Sequence, residues 1–305
     1  MTSLFLALLF AVDVDLTSSW VTDADLERVG RMAGVTRLDL SQTKITDAGL
    51  ERLKNLKELR ELRLYYAEFL TEDGLAILKH FPQLERLDLR GTRVTSKVFE
   101  HIAHLKNLRA LDLGFTEIID DGFDQLTELP RLEKLVIGGN RLSGECLSLL
   151  LQIPSLRDLD VGGTQRVDSG LWGLALTEQN LERLGALTQL HRLNLAAATI
   201  SDRGVDRPGH PEAERIDLPD LSALTALENL EYLDLTRQPV SAAALKSIER
   251  LPRLTELRLG LSRNLGDSAA DVLLGMKNLR KVYLTGSRMS PEGLEKIQHL
   301  LTQSR

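Results

Sequence analysis

A pattern of leucines recurs along this chain at intervals of about 24 residues. The clearest copy is 35–50, where Leu38 and Leu40 alternate with polar residues as in a half-buried β-strand. Thr46 then precedes an acidic residue and a Gly–Leu pair, which predicts the N-cap of a short helix. A single unit of this kind cannot bury its own leucines, so the chain is restricted to folds that stack equivalent units.

Eleven such units can be counted by the second leucine of each predicted strand, or by the residue that replaces it. These marker residues are Leu16, Leu40, Leu64, Leu89, Leu113, Ile137, Val161, Leu195, Leu235, Leu259 and Leu284. Most of the intervals between them are nearly equal, whereas the two from Val161 to Leu195 and from Leu195 to Leu235 are longer. We number the repeats 1 to 11 by these markers, whose period is typical of strand–helix solenoids.

Small or polar residues occupy the third position after every marker, for example Thr43, Thr92 and Asn140. The chain must bend away from the sheet at this point, which exposes backbone groups that need hydrogen-bond partners. We therefore expect these side chains to bond the backbone inside the bend.

The segments 37–50, 86–95 and 110–118 carry the pattern L-x-L-x-x-T-x-I-T-D-x-G-L in whole or in part. In this pattern the chain resembles the leucine-rich repeat superfamily, and more narrowly the subclass found in F-box-associated and bacterial repeat proteins. The resemblance covers about residues 11–301. It implies an α/β solenoid, a curved horseshoe with parallel strands on the concave face and short helices on the convex face. It also implies protein recognition on the concave face; no segment looks like an F-box, so a ubiquitin-ligase role is not implied.

The N-terminal segment has two interpretations. Residues 4–12 are apolar, which suits the core of a signal peptide but is too short to span a bilayer. Against export, no Lys or Arg precedes Arg28 and no clear cleavage site follows the apolar run. We interpret residues 1–10 as an apolar cap or a signal-like segment, and 11–305 as the repeat domain. A cytoplasmic location is predicted, with export as the alternative.

Two consecutive repeats contain extra residues, which we place near 172–186 and 206–221. The first insertion contains Trp172 and the second contains His210. Insertions in repeat proteins often map to one face and carry function. They also cost little loop entropy, so neutral variation remains open as the alternative.

Charge and motif content exclude several classes of function. The net charge is −6, which disfavours nucleic acid and anionic membranes as partners. Cys146 is the single cysteine, so neither an internal disulfide nor a cysteine-based zinc site can form. No phosphate-binding loop, nucleophile elbow or zinc-protease motif is present. We predict a protein that is not an enzyme and has no cofactor or metal site.

The predicted concave face offers one column of acidic side chains and one local aromatic patch. Six of the eleven residues between the paired strand leucines are aspartates, which form either a solvated charge lattice or a surface for a basic partner. Aromatic and arginine side chains are common interface anchors. The candidate protein-binding residues are Tyr65, Tyr66, Arg86, Arg90, Phe115, Trp172 and His210. Glycines at 138–139 and 162–163 suggest a smooth trough beside the patch.

These features together predict a non-enzymatic scaffold that binds a protein partner on its concave face. The alternatives are an exported cell-envelope adhesion or structural protein, and a substrate-recognition subunit of a larger complex. We expect a monomer without a membrane span.

Overall fold

Eleven short strands form one open parallel sheet in a computed structural model that describes residues 11–167, 170–198 and 220–301. They are β1 (Val12–Asp15), β2 (Val35–Asp39), β3 (Glu61–Arg63), β4 (Arg86–Asp88), β5 (Ala110–Asp112), β6 (Lys134–Val136), β7 (Asp158–Asp160), β10 (Arg192–Asn194), β11 (Tyr232–Asp234), β12 (Glu256–Arg258) and β13 (Lys281–Tyr283). Strand order follows the chain, and equivalent leucines face one another, such as Leu38 and Leu62. The predicted α/β solenoid of eleven repeats is confirmed.

Short helices lie on the other side of the repeats. The α-helices are α1 (Asp23–Val29), α2 (Asp47–Glu51), α3 (Glu72–Leu75), α4 (Val98–Ile102), α5 (Glu178–Gly185), α6 (Ala242–Ile248), α7 (Ser268–Gly275) and α8 (Pro291–Lys296). Turns of 3₁₀-helix span Ala76–His80, Phe123–Glu128, Glu145–Gln152, Ser222–Ala226 and Gln298–Leu300. Helices this short are not stable alone, so packing on neighbouring repeats must hold them.

The core is a continuous column of leucines between the sheet and the helices. Leu38, Leu40, Leu50 and Leu53 are all fully buried or nearly so, and the same positions repeat along the stack. Larger rings fill the helix side, where Phe99 and Phe123 meet edge to face with centroids 5.0 Å apart. The opposite face of the sheet is free of helices; it is the concave face.

The second residue after every marker has a left-handed backbone conformation. Glycine occupies this position in four repeats and a residue with a side chain in seven: Gly91, Gly139, Gly163 and Gly286, and Ser18, Gln42, Tyr66, Phe115, Ala197, Arg237 and Leu261. This conformation costs an L-residue about 1–2 kcal/mol. The turn is therefore a fixed feature of the repeat, and the seven side chains are held there at an energetic cost.

Three of the glycines at this turn lie beneath a large side chain of the preceding repeat. A Cβ atom built on Gly91 would lie 2.7 Å from the Tyr66 ring, and one on Gly139 would lie 2.8 Å from the Phe115 ring. Gly286 stands in the same relation to the side chain of Leu261, at 2.6 Å. The positive φ favours glycine at these positions, and the ring or methyl group above leaves no room for a Cβ atom.

Polar side chains bond the backbone at the bend, as predicted. The hydroxyls of Thr43, Thr92 and Thr116 each donate to the carbonyl of their own marker residue, at 2.6–2.8 Å. Asn140 is fully buried and connects two repeats, because its amide donates to Leu113 O at 2.7 Å and to Ile137 O at 2.9 Å. The third position after the marker is thus an internal backbone cap.

The aspartate column has a structural role that the sequence interpretation missed. Asp39, Asp88, Asp112 and Asp160 each accept a hydrogen bond from the backbone N–H two residues further on, at 2.8–3.0 Å. Asn194 makes the same bond to Ala196 N at 2.9 Å. These Asx turns end the strands and lead into the left-handed residue. The column is therefore explained in large part by local backbone geometry rather than by a ligand.

The predicted helix cap Thr46 stands at its expected place before α2, but its hydroxyl bonds the preceding repeat. Thr46 donates its N–H to Asp23 Oδ1 at 2.8 Å and its hydroxyl to Asp23 Oδ2 at 2.6 Å. Asp47 receives the same pair of bonds from Thr71, at 2.9 and 2.7 Å. A ladder of acid–threonine contacts thus joins successive helices across the convex side.

The extra residues of repeat 7 form a small antiparallel hairpin of β8 (Gln165–Val167) and β9 (Gly170–Trp172). Thr177 then caps α5 by accepting from Asn180 N, so α5 is the repeat's own helix. The additional length therefore falls largely before residue 172, earlier than the predicted 172–186. Of the second predicted insertion, 206–221, only the last two residues belong to the described part of the chain.

Candidate functional site

Tyr65 and Tyr66 follow β3 at the edge of the sheet where the strands end. Their rings meet edge to face, with centroids 4.6 Å apart. Tyr66 has a φ of 51° and keeps 39% of its surface exposed, while its ring covers Gly91 of the next repeat. A large aromatic surface is therefore presented to solvent on a backbone turn that is fixed by the repeat.

Arg90 and Phe115 extend this surface over repeats 4 and 5. The guanidinium carbon of Arg90 lies 4.4 Å from the Phe115 ring centroid, which is a stacking distance for a cation and an aromatic ring. The Phe115 ring also covers Gly139 and Gly163. The trough expected at the glycines is thus partly filled by this ring. Tyr65, Tyr66, Arg90 and Phe115 form one surface, here called the aromatic patch.

Arg86 lies on the strand face rather than in the aromatic patch. It is four residues before Arg90, or about 13 Å along the strand. Its guanidinium is 3.8 Å from the carboxylate of Glu61, a buried residue that Arg37 and Arg63 approach more closely, at 3.2 and 2.7 Å. Arg86 is the most weakly paired of the three and is 62% exposed. It is available for contact with a ligand on the concave face.

Of the two candidate protein-binding residues in the predicted insertions, one lies in the described part of the chain and the other does not. Trp172 ends β9, opposite Gln165, and the side chain of Gln165 donates to Thr116 O at 2.9 Å. The hairpin is therefore anchored beside the turn that holds Phe115. His210 lies outside the described residues.

Asp88, Asp112 and Asp160 form an acidic row at the centre of the concave face. Burial, with a smaller contribution from the carboxylates of Asp88 and Asp160, raises the pKa of Asp112 to about 6 against the opposing effects of Gly114 N–H and Arg90. Burial also raises the pKa of Asp88 and of Asp160. In each of the three, burial is the largest cause and a neighbouring carboxylate adds to it.

We expect Asp112→Asn to stabilise the protein at pH 7.5 by about 1–3 kcal/mol. Asparagine can keep the Asx turn, as Asn194 does. Because the folded-state pKa lies above the ordinary value, the wild-type carboxyl contributes stability at low pH and loses it as pH rises through about 6. Urea midpoints measured between pH 4.5 and 7.5 should therefore show a growing advantage of the variant.

Asp15→Asn is the matched control for that experiment. Asp15 makes the same turn, but hydrogen bonds from Thr17 lower its pKa. This variant should not gain stability as pH rises. An equal gain for both variants would show that the burial of Asp112 and its neighbouring carboxylates have no role.

A second cluster of aromatic and arginine side chains was not recognised from the sequence. Tyr232 lies between Arg192 and Arg258 on the concave face, and Tyr283 lies next to Arg258. The sequence does hold one sign of this cluster. Tyr232 is an aromatic residue at a strand position that in most other repeats holds a charged side chain. Exposed rings also occur at Trp20 and Phe69, which are 89% and 57% exposed in repeats 1 and 3.

The described residues contain neither a metal-binding cluster nor a membrane-spanning helix. Within 11–167, 170–198 and 220–301, no three His, Cys, Asp or Glu side chains are grouped to hold a metal ion. Over the same ranges, no helix combines the length and apolar character needed to cross a bilayer. Burial raises the pKa of the Cys146 thiol far above its ordinary value, which makes it a poor nucleophile.

Comparison with known proteins agrees with this architecture. A search of curated protein sequences finds no match. Among solved structures, the chain is similar to an internalin (inlF) from Listeria monocytogenes, with a TM-score of 0.59 and 20% identity over 95% of this chain and 80% of that one. It is also similar to an internalin C2 from the same species, with a TM-score of 0.49 and 22% identity over 75% of this chain and 84% of that one. At 20% identity the likeness to the inlF internalin shows the fold alone. The family model for a leucine-rich repeat region matches residues 35–300, and the chain therefore belongs to the leucine-rich repeat family.

Proposed function

We propose that this protein is a non-enzymatic scaffold that binds a protein partner on its concave face. The observation that carries the proposal is the aromatic patch, where two tyrosines, a phenylalanine and a stacked arginine are presented together. Tyrosine and arginine are enriched among the residues that dominate binding energy at protein interfaces. The left-handed turns fix Tyr66 and Phe115, so little backbone order is lost on binding.

The mechanism of the scaffold is recognition across several repeats at once. The patch supplies apolar contact at the edge of the sheet, and Arg86 supplies charge on the strand face. Because leucine packing locks each repeat to the next, the distances between these anchors are fixed. A partner whose surface matches these distances is bound, and others are not.

Arg86→Gln tests whether the partner reaches the strand face. Immobilised full-length protein should capture a partner from an extract of its native cells, and the variant should lower the apparent affinity by about 5- to 10-fold. The matched control is Arg52→Gln, because Arg52 is also an exposed arginine paired with a glutamate, at 3.2 Å from Glu27, but lies on the helix side. Equal losses for the two variants would contradict binding on the concave face.

A further inference from the structure

The strand face of repeats 8–11 carries a stacked cluster of arginines and tyrosines. The guanidinium carbon of Arg192 lies 3.8 Å from the Tyr232 ring centroid. Arg258 lies 5.4 Å from the same ring and 4.6 Å from the Tyr283 ring. Tyr232 is itself fixed, because its hydroxyl donates to Asp234 Oδ2 at 3.0 Å. The cluster thus holds two guanidinium groups in place before any ligand binds.

Arg192 is the member of this cluster with unused hydrogen-bonding capacity. Arg258 directs both Nε and Nη2 to one oxygen of Glu256, at 3.1 Å each. The Arg192 guanidinium approaches Asp158 through Nε at 3.7 Å, which is too long for a hydrogen bond, and forms no hydrogen bond with another side chain among the described residues. Its side chain is 49% exposed. A guanidinium held by its face keeps its N–H edge free, and this edge matches a carboxylate.

The carboxylates around this position already have hydrogen-bond or ion-pair partners. Glu256 is engaged by Arg258, and Asp234 accepts from Tyr232 and from Thr236 N. Asp158 is shared between Arg192 and Lys134, at 3.7 and 3.6 Å. Lys281 is exposed on the last strand and pairs with no carboxylate in the described part of the chain. None of these carboxylates forms a hydrogen bond with the N–H edge of Arg192, and Lys281 adds a further positive charge on this face.

We infer that Arg192, stacked on Tyr232, binds an acidic side chain of the protein partner. The inference rests on the proposed function and adds the chemistry of one contact: an Asp or Glu carboxylate facing repeats 8 and 9. Five strand steps separate β3, which precedes the two tyrosines of the aromatic patch, from β10, or about 24 Å at the usual spacing. The partner therefore presents an apolar surface and an acidic residue at about that distance.

A dipeptide probe tests this inference without the partner. Acetyl-Glu-Glu-amide is titrated into the full-length protein while the Nε resonances of its arginines are followed by NMR. The Arg192 resonance should shift saturably, with half-saturation at a concentration about fivefold lower than for Arg280, an exposed arginine outside the cluster. Acetyl-Gln-Gln-amide should produce no saturable shift.

Two variants test whether binding at Arg192 depends on the stacked Tyr232 ring or only on the arginine charge. Tyr232→Leu should raise the half-saturation concentration at Arg192 about fivefold, because the guanidinium loses the ring beneath it. Tyr232→Phe keeps the ring and loses only the hydrogen bond to Asp234, so we expect a smaller increase in the half-saturation concentration at Arg192. This variant tests the inference even if Tyr232→Leu does not fold.

The inference is wrong if Arg192 and Arg280 respond alike, or if neither variant changes the response. Tighter binding of inorganic phosphate than of acetyl-Glu-Glu-amide would also overturn it, in favour of a phosphorylated ligand. Because the probe needs no partner, failure here leaves the capture experiments on the aromatic patch and Arg86 unaffected.

Discussion

Asn140→Ala should lower the free energy of unfolding by about 2–4 kcal/mol. Asn140 Oδ1 accepts from Thr116 N at 2.9 Å, while Nδ2 donates to Leu113 O and Ile137 O. Alanine would leave buried backbone groups of two repeats with fewer partners and would open a small cavity. The urea midpoint at constant pH measures the loss.

Two further variants test the explanation. Thr43→Val removes a single bond, from the hydroxyl to Leu40 O at 2.7 Å, and should cost only about 1 kcal/mol. Asn140→Thr should recover part of the loss, because threonine caps the marker carbonyl at the same position in repeats 2, 4 and 5. A loss for Asn140→Ala no larger than that for Thr43→Val would show that the link between repeats 5 and 6 is not important.

Tyr66→Ala and Phe115→Ala should each weaken partner binding by about 30-fold or more, since truncation of a central aromatic anchor costs at least about 2 kcal/mol. Both side chains lie over glycines of the next repeat, so part of their area is already buried in the free protein. The exposed part, together with Tyr65 and Arg90, is what a partner covers. Titration of the partner against immobilised variants measures the change.

Leu261→Ala is the matched control for these two variants. Leu261 has the same left-handed turn, covers Gly286 in the same way and is 47% exposed, but it lies in repeat 10. Alanine is tolerated at this turn, as Ala197 shows. Leu261→Ala should therefore cost similar stability without a loss of affinity. If it weakens binding as much as Phe115→Ala, the effect comes from stability and the patch is not the interface.

The fold could be predicted from the sequence because one physical requirement is repeated eleven times. Each copy of the pattern around Leu38 and Leu40 needs neighbours that bury its leucines, and only stacking provides them. The small or polar residues at Thr43 and its equivalents followed from the same reasoning, since a buried bend leaves backbone groups to satisfy.

Contacts between repeats were less predictable, because they depend on the register of the stack. Thr46 was expected to cap its own helix, yet its hydroxyl bonds Asp23 of the preceding repeat. The glycines at 138–139 suggested an open trough, but the Phe115 ring from repeat 5 lies over Gly139. Neither the direction of a side chain nor its neighbour in the next repeat can be read from one repeat alone.

The second arginine–tyrosine cluster was hidden by the long interval between its members. Arg192 and Tyr232 are paired on adjacent strands, but an insertion lies between them in the sequence, so they are further apart along the chain than equivalent residues of ordinary repeats. The pairing becomes visible only when β10 and β11 are placed side by side. Residues that work together across an insertion are therefore the part of the site that the sequence pattern conceals.

Photo-crosslinking in the native cell extract tests most directly whether a partner lies on the concave face. A photoreactive phenylalanine analogue is placed at Lys134, an exposed position on β6, and in a parallel experiment at Arg31, an exposed position next to α1. We expect a protein partner to be crosslinked from Lys134 and not from Arg31. Crosslinking of the same partner from Arg31 alone would contradict binding on the concave face.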